Sequence, residues 1–431
     1  MLIMLLSNSQ EITCIIRLSK LDFTSIIKNK ANFMRNNKIF FLNILLIVVF
    51  MPACTEKLDI QIENDRKETT KINLVEKSIK DMRSFFVSVK SLNTTPNTDY
   101  YLDNNDTLAI MLQYPNGYTV YANNPNYDLL VISENGNIYD DLKHNAFNNL
   151  IKDIAVRSNE SYRSEIPDTP ITIRYPVYDT LYTQKPPMID VHWHQYAPFN
   201  MYALNKTKKL AGCTMVAIGQ IMSYYKYPSS ISLTYSNADV SETMLDWDKM
   251  KWHTTGHGYD CQYCQQNARL MRQISHICHA TYYDSTGTGA WPKVEYLKRL
   301  GYSGKEYDHF SIDNIMSSLE NNNPCIISGF NDTTGHSWNI DGYRKIAYQC
   351  ITYEKTHPNS IPQEVGREER TDTYLHFNYG YGGSGDGFIL SNRRETGYGG
   401  HLASSYDRTP ISIFTGDFPK VRMLVTDIQP Y

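Results

Sequence analysis

The segment Gly212-Cys213-Thr214-Met215-Val216-Ala217-Ile218-Gly219-Gln220-Ile221-Met222-Ser223-Tyr224 constrains this 431-residue chain more than any other. Val216, Ala217, Gln220, Ile221 and Tyr224 recur at helical spacing, so the segment reads as a centrally packed helix that ends at Pro228. Its first residue is a cysteine. A thiol at that place meets the positive end of the helix dipole, which favours the thiolate. Gly212 lets the backbone approach closely just before the thiol. The ordinary fate of a free cysteine is burial as a small apolar side chain, so the rest of the chain must decide whether Cys213 is a nucleophile.

Three other segments supply what a thiol nucleophile needs. In Gly335-His336-Ser337-Trp338 an imidazole stands at the start of an apolar strand, Ser337–Tyr343, with Gly335 leaving space beside it. Such a histidine serves as general base, taking the thiol proton and returning it to the leaving amine. His376 competes for that role and would share a strand face with Asn378. In Asn378-Tyr379-Gly380-Tyr381-Gly382-Gly383 a side-chain amide or a backbone carbonyl orients the imidazole, and the aromatic rings shield that bond from water. Gln195, between Trp193 and Tyr196-Ala197-Pro198, is either a solvated loop glutamine or, aimed at the cleft, an oxyanion donor beside the N–H of Cys213. Cysteine, then histidine, then asparagine is the chain order of a papain-like thiol protease.

The formal net charge of −3 gives no electrostatic footprint for a nucleic-acid partner. Length allows two or three domains. Met34-Arg35-Asn36-Asn37-Lys38, the apolar run from Ile39 to Met51 and Pro52-Ala53-Cys54 read as a lipoprotein signal over 34–54, with Cys54 acylated after cleavage. The run is short for a transmembrane helix. Residues 1–33 read as an extension ahead of the true start, and 55–72 as a polar tether. Over 73–156, a helix with apolar residues at three- and four-residue steps is followed by short strands, a small α+β module. Residues 157–187, rich in proline, read as an exposed linker. From 188 to 431 helices come first (Cys213–Tyr227, Gln265–His279, Trp291–Leu300) and strands later (Pro324–Phe330, Ser337–Tyr343, Tyr374–Asn378, Gly387–Leu390). That order implies an α+β domain of two layers around a cleft. Of eight cysteines, Cys14 and Cys54 fall in the leader. Cys261, Cys264, Cys278, Cys325 and Cys350 leave open a Cys261–Cys264 bridge or a pairing with Cys278.

The blocks resemble the streptopain-like cysteine peptidases of bacteria, the C10 family. The resemblance rests on five of them: Trp193-His194-Gln195 with Pro198-Phe199-Asn200; Gly212-Cys213 with Ala217, Gln220, Met222, Tyr224, Tyr227 and Pro228; Trp247-Asp248 with Met250; Gly335-His336 with Asp341-Gly342; and His376, Asn378, Gly380, Gly382-Gly383 and Asp386-Gly387-Phe388. It spans about Met188 to Phe414. It implies a papain-like fold, Cys213 as nucleophile, His336 as general base, Gln195 in the oxyanion hole and His376 in a structural role. Asn378 and Tyr379 fall where the family's histidine-orienting and shielding residues sit. It also implies an N-terminal inhibitory prodomain, here 73–156, removed by cleavage within 157–187, where Lys185, Arg157, Arg163 and Arg174 are the candidate sites.

Some residues depart from the family. Tyr379 and Tyr381 stand where it has tryptophans, and each brings a hydroxyl that wants a partner. Thr214-Met215 replace a smaller pair beside the nucleophile, and the late glycine loop is only partly present, as Gly397-Tyr398-Gly399-Gly400. The expected protein is an extracytoplasmic, outer-membrane or cell-surface cysteine endopeptidase precursor. It acts on proteins or peptides, is restrained by its own prodomain, uses neither metal nor other cofactor, and touches the membrane only through the lipid. Three other readings compete. A zinc site could be built from Cys261, Cys264, His276, Cys278 and His279, although helical spacing splits the last three between faces. The same thiol chemistry serves a Cys-His acyltransferase or amidase of transglutaminase type. A catalytically dead surface-binding homologue would keep the fold alone.

Overall fold

A computed structural model describes residues 74–86, 94–124, 127–165, 173–203, 210–235, 238–252, 254, 261–281, 291–330, 335–354, 363–397 and 420–431. Chain contacts separate Met1–Ile72 from Asn73–Tyr431, and the described elements all belong to the second unit. The expected signal, Cys14, the acylated Cys54, the tether and the glycines at 399 and 400 lie outside the described residues.

Helix α1 (74–85) buries Leu74, Met82 and Phe85, the stripe its spacing predicts. A four-stranded meander follows: β1 (Asn97–Asp103), β2 (Asp106–Gln113), β3 (Tyr118–Ala122) and β4 (Leu129–Ser133). The short α2 (Ile138–Asp141) is capped by the Asn137 side chain on the Tyr139 N–H. Helix α3 (Asn145–Glu165) then covers β2, β3 and β4.

The expected linker over 157–187 is largely regular structure. Helix α3 continues to Glu165, and β5 (Ile173–Lys185) pairs antiparallel with β10 (Gly335–Glu354). Among the described residues β5 pairs only with β10, so Pro176 sits in a strand with a free side, where its missing N–H breaks no second ladder. Proline frequency alone suggested a loop and missed this.

The helical half contains α4 (Cys213–Tyr225), the small hairpin β6 (Ser230–Tyr235) and β7 (Ala238–Met244), α5 (Trp247–Met250), α6 (Gln262–Ile277) and α7 (Val294–Arg299). Helix α4 is buried from Thr214 to Ser223 on every side, more than the single face expected, because it lies between β10 and α6. Gly219 permits that approach: a Cβ there would collide with the Met271 side chain and touch Trp193. The sheet half contains β8 (Tyr302–Tyr307), α8 (Ile312–Glu320), β9 (Cys325–Phe330), β10, β11 (Gln363–Asn378), β12 (Gly387–Gly397) and β13 (Lys420–Pro430). The fold is α+β, as the sequence predicts.

One sheet joins the N-terminal module to this half. Its order is β1-β2-β3-β4-β12-β11-β10-β9-β13-β8, and the junction pairs Phe388 with Ile132 and Ile389 with Val131. One apolar cluster fills the space beneath α1, α3 and α8, and another lies around α4 and α6.

Cys261 and Cys264 are bridged at the start of α6, while Cys278 and Cys325 are buried free thiols. That settles the choice left open among the cysteines: Cys278 is not in the bridge. A Cβ at Gly387 would come within 2.7 Å of the Ile132 carbonyl oxygen across the β4–β12 seam. Gly387→Val is expected to cost about 1–3 kcal/mol through overpacking. The measurement is hydrogen exchange, with amides of 129–133 exchanging faster and those of the β10–β11 pairing unchanged.

Candidate active site

Cys213 is the first residue of α4 and is partly exposed, with Thr214 buried behind it. Its N-cap, Gly212, has φ 102°, a conformation open to glycine and strained for any side chain. Among the described residues no side chain caps the helix start, so the N–H groups there remain directed at the thiol and at whatever it attacks. The second turn is pinned to the sheet. Asn339 on β10 donates its Nδ2 to the Ala217 carbonyl at 3.1 Å and to Gln220 Oε1 at 2.9 Å. Gln220 Nε2 in turn donates to Asn378 Oδ1 at 2.8 Å. Thr214 and Ser337 share a hydroxyl contact at 3.0 Å, extended to Ser328 at 2.7 Å.

His336 is the second residue of β10 and is 5% exposed. Its Nε2 lies 2.9 Å from the Tyr379 carbonyl oxygen. A carbonyl only accepts, so Nε2 carries a proton and donates to it, which leaves Nδ1 as the nitrogen that can take the thiol proton. The ring stacks on Tyr381 at 4.7 Å and 19°, and lies nearly parallel to Trp338 and Tyr379 at 5.9 and 6.1 Å. The Cys213 thiol is hydrogen-bonded to this imidazole. Burial pushes the thiol up. The charge and hydrogen bond of His336, with the N–H groups of Ser337 and Thr214, outweigh it and hold Cys213 below the ordinary thiol range. Cys278 and Cys325 show the contrast: burial leaves both near pKa 12, inert as nucleophiles.

The expected site residues fall as follows. Cys213 and His336 come together. Gln195 is buried, and its carbonyl accepts the Ala211 N–H at 2.8 Å, which places it beside Gly212 and Cys213. Gly335 opens β10, and Gly212 opens α4. Asn378 is a correction, because its amide does not orient the imidazole. Its Oδ1 receives Gln220 and the Gly380 N–H, and its Nδ2 donates to the Val191 carbonyl at 3.0 Å. The orienting acceptor is the main-chain carbonyl of the next residue, Tyr379. Successive strand side chains point to opposite faces, and side-chain chemistry alone gives no sign that a carbonyl does the work. His376 is structural, with its Nδ1 2.6 Å from the buried Asp341. Asp341 Oδ2 also receives the Ile189 N–H at 2.8 Å, and a Cβ on Gly342 would crowd the Lys185 carbonyl. The Asp341-Gly342 pair therefore holds the strand leading to Trp193.

The two tyrosines meet different fates. Tyr381 Oη lies 3.2 Å from His336 Nδ1, the nitrogen the thiol needs. The Tyr379 hydroxyl is buried with no hydrogen-bond partner among the described residues. Sequence reasoning missed Asp386 and His192 as site residues. Asp386 accepts the Tyr379 N–H at 2.9 Å and meets His192 Nδ1 at 2.9 Å. A lone carboxylate inside a glycine-rich turn was the available signal.

The thiolate is expected to persist below the ordinary thiol range and to be lost as pH falls through the depressed value. His336→Ala removes both main lowering contributions, and the alkylation rate of Cys213 at neutral pH is expected to fall at least about tenfold. Tyr381→Phe removes a competing hydroxyl worth about 1 kcal/mol, which corresponds to about a fivefold faster rate. Both are read by iodoacetamide labelling of Cys213 followed by mass.

Residues 193–389 match the model of the peptidase C10 family. The thiol protease/hemagglutinin PrtT of Porphyromonas gingivalis is 25% identical over 230 residues, covering 46% of this chain and 23% of that protein. The chain therefore spans about a quarter of the length of that relative. Prointerpain A of Prevotella intermedia aligns at 16% identity over 77% of this chain and 98% of its own, with a TM-score of 0.48. Active interpain A from the same organism aligns at 16% identity over 58% of this chain and 98% of its own, with a TM-score of 0.37. Through the segment from Trp193 to Ile389, the chain is similar to the streptopain-like cysteine peptidases, the peptidase C10 family.

Proposed function

We propose that this chain is the zymogen of an extracytoplasmic cysteine endopeptidase. The observation that carries the reading is the thiol of Cys213 at a helix start, hydrogen-bonded to a buried imidazole whose far nitrogen is fixed on the Tyr379 carbonyl. The thiolate attacks a peptide carbonyl carbon, forming a C–S bond. The oxyanion is received by the Cys213 N–H and the Gln195 amide. His336, now protonated, gives its proton to the leaving amine as the C–N bond breaks. It then takes a proton from water, whose oxygen displaces the thiolate and releases the acid product. Amines in place of water would make the same acyl-enzyme a transferase. The self-restraining N-terminal module favours hydrolysis of proteins.

Contacts of that module support a zymogen. His144, just before α3, stacks on Tyr381 at 4.2 Å and 8°, pressing that ring onto His336. Buried Asp141 receives the Ser384 hydroxyl at 2.5 Å. Ser133 donates its hydroxyl to the Asp386 carbonyl at 2.6 Å. The module thus grips the turn that orients the general base. The basic stretch, apolar run and Cys54 support export and acylation at the cell surface.

The test is self-processing. Wild type and Cys213→Ala, each as the full chain, are incubated with a reductant and followed by intact mass. Loss of the N-terminal module in the wild type alone, by a cut within 157–187, is expected. A wild type that stays intact and whose Cys213 resists E-64 even after limited trypsin sinks the reading. Gln195→Ala is expected to slow processing by about 10²–10³-fold, the usual effect of one lost oxyanion donor.

A further inference from the structure

The carbonyl that aims His336 sits in a turn with little side-chain anchorage of its own. Glycines follow Tyr379 at 380, 382, 383 and 385, with φ of 70°, 75°, 94° and 77°. Such a run gains its shape from outside bonds, since glycine loses more freedom on ordering than any other residue. Besides the grip of the N-terminal module on Ser384 and Asp386, three bonds act at the Tyr379 end. Gly380 N–H donates to Asn378 Oδ1 at 3.2 Å, and Gly382 N–H to the Trp193 carbonyl at 3.0 Å. The third joins the Tyr379 N–H to Asp386 Oδ1 at 2.9 Å.

Asp386 is 6% exposed, and a buried carboxylate needs a partner on its other oxygen. His192 provides it, with Nδ1 2.9 Å from Oδ2. The His192 ring is about half exposed and lies over Gly383, where a Cβ would sit 3.6 Å from the imidazole. Three carboxylates face His192: Asp386 before β12, Asp341 on β10 and Asp190 on its own segment. The hydrogen bond to Asp386 is the largest influence, and it holds the proton on His192 above the ordinary histidine range against burial. A chain of contacts therefore runs from solvent to the thiol: His192, the Asp386 carboxylate, the Tyr379 main chain, His336 and Cys213.

We propose that Asp386 and His192 are positioning residues for His336: their pairing fixes the Tyr379 main chain, and through it the aim of the imidazole at the Cys213 thiol. The proposal rests on the thiolate–imidazole reading above. Neither residue touches the reacting atoms. His192 acts by donating Nδ1–H to the carboxylate, so any side chain placing an N–H at that point has the same effect.

The experiment is the pH dependence of iodoacetamide alkylation at Cys213 in the full reduced chain, read as initial rates by peptide mass. The wild type is expected to reach half-maximal rate below the ordinary thiol range. His192→Ala is expected to raise that midpoint by about one unit, about tenfold slower labelling at pH well below it. Asp386→Ala is expected to raise it further. His192→Asn, whose Nδ2 amide stands near the place of Nδ1, is expected to restore most of the shift. A mere loss of packing would not be rescued by Asn. Ala variants that keep the wild-type midpoint, or an Asn variant that behaves as Ala does, overturn the proposal. If Asp386→Ala does not fold, the His192 pair decides alone. A wild type that titrates as an ordinary thiol removes the underlying catalytic reading itself, an outcome visible before any variant is compared.

Discussion

The amide of Gln220 holds the two halves of the site together. Its oxygen takes a donor from Asn339 on β10, and its nitrogen donates to Asn378 at the end of β11. The helix that carries the thiol is thereby locked in rotation and height against the two strands that carry and aim the base. Bonds of this kind inside a low-dielectric core specify one arrangement and penalise slippage, since a one-residue shift would strand several buried polar groups at once. Asn378 belongs to this frame, and its role is to hold α4 and the glycine turn rather than to address the imidazole.

The aromatic surroundings act on top of that frame. Trp338, Tyr379 and Tyr381 lie nearly parallel to His336, and they exclude water from the Nε2–carbonyl bond that fixes the tautomer. The tyrosine at 381 differs from a tryptophan in kind. Its hydroxyl reaches the working nitrogen, so the ring both shields the base and competes for it. The tyrosine at 379 buries its hydroxyl without a partner among the described residues, a cost of about 1–3 kcal/mol for an unsatisfied buried group.

Much of this was legible in the chain itself. Cys213 at a helix start, His336 opening a strand and the order of the blocks carried the pair, because the chemistry of thiol and imidazole resides in side chains. Which of the two acceptors offered by this segment serves His336, the Asn378 amide or a main-chain carbonyl, was not legible, because a main-chain carbonyl carries no residue signature. The roles of Asp386, which stands in one of the blocks, and of His192 were not legible for a related reason: they act on another residue's backbone across a turn. The helix and strand after residue 157 were misread because prolines counted as loop signals, although an edge strand accommodates Pro176. The strand β13 that fills the place between β9 and β8 is likewise set by long-range pairing, which local periodicity does not contain.

The seam between β4 and β12 has a consequence for the order in which the molecule is made. Ser133 and Asp386, bonded across that seam, are 253 positions apart. The early strands leave the ribosome with a bare edge and wait for most of the chain to appear before their neighbour exists. Non-local pairing of this kind slows folding and lengthens exposure of unpaired edges. The first module must therefore be stable enough on α1 and α3 to stand as a waiting template. A chain that began at the catalytic segment would have to assemble β12 without one.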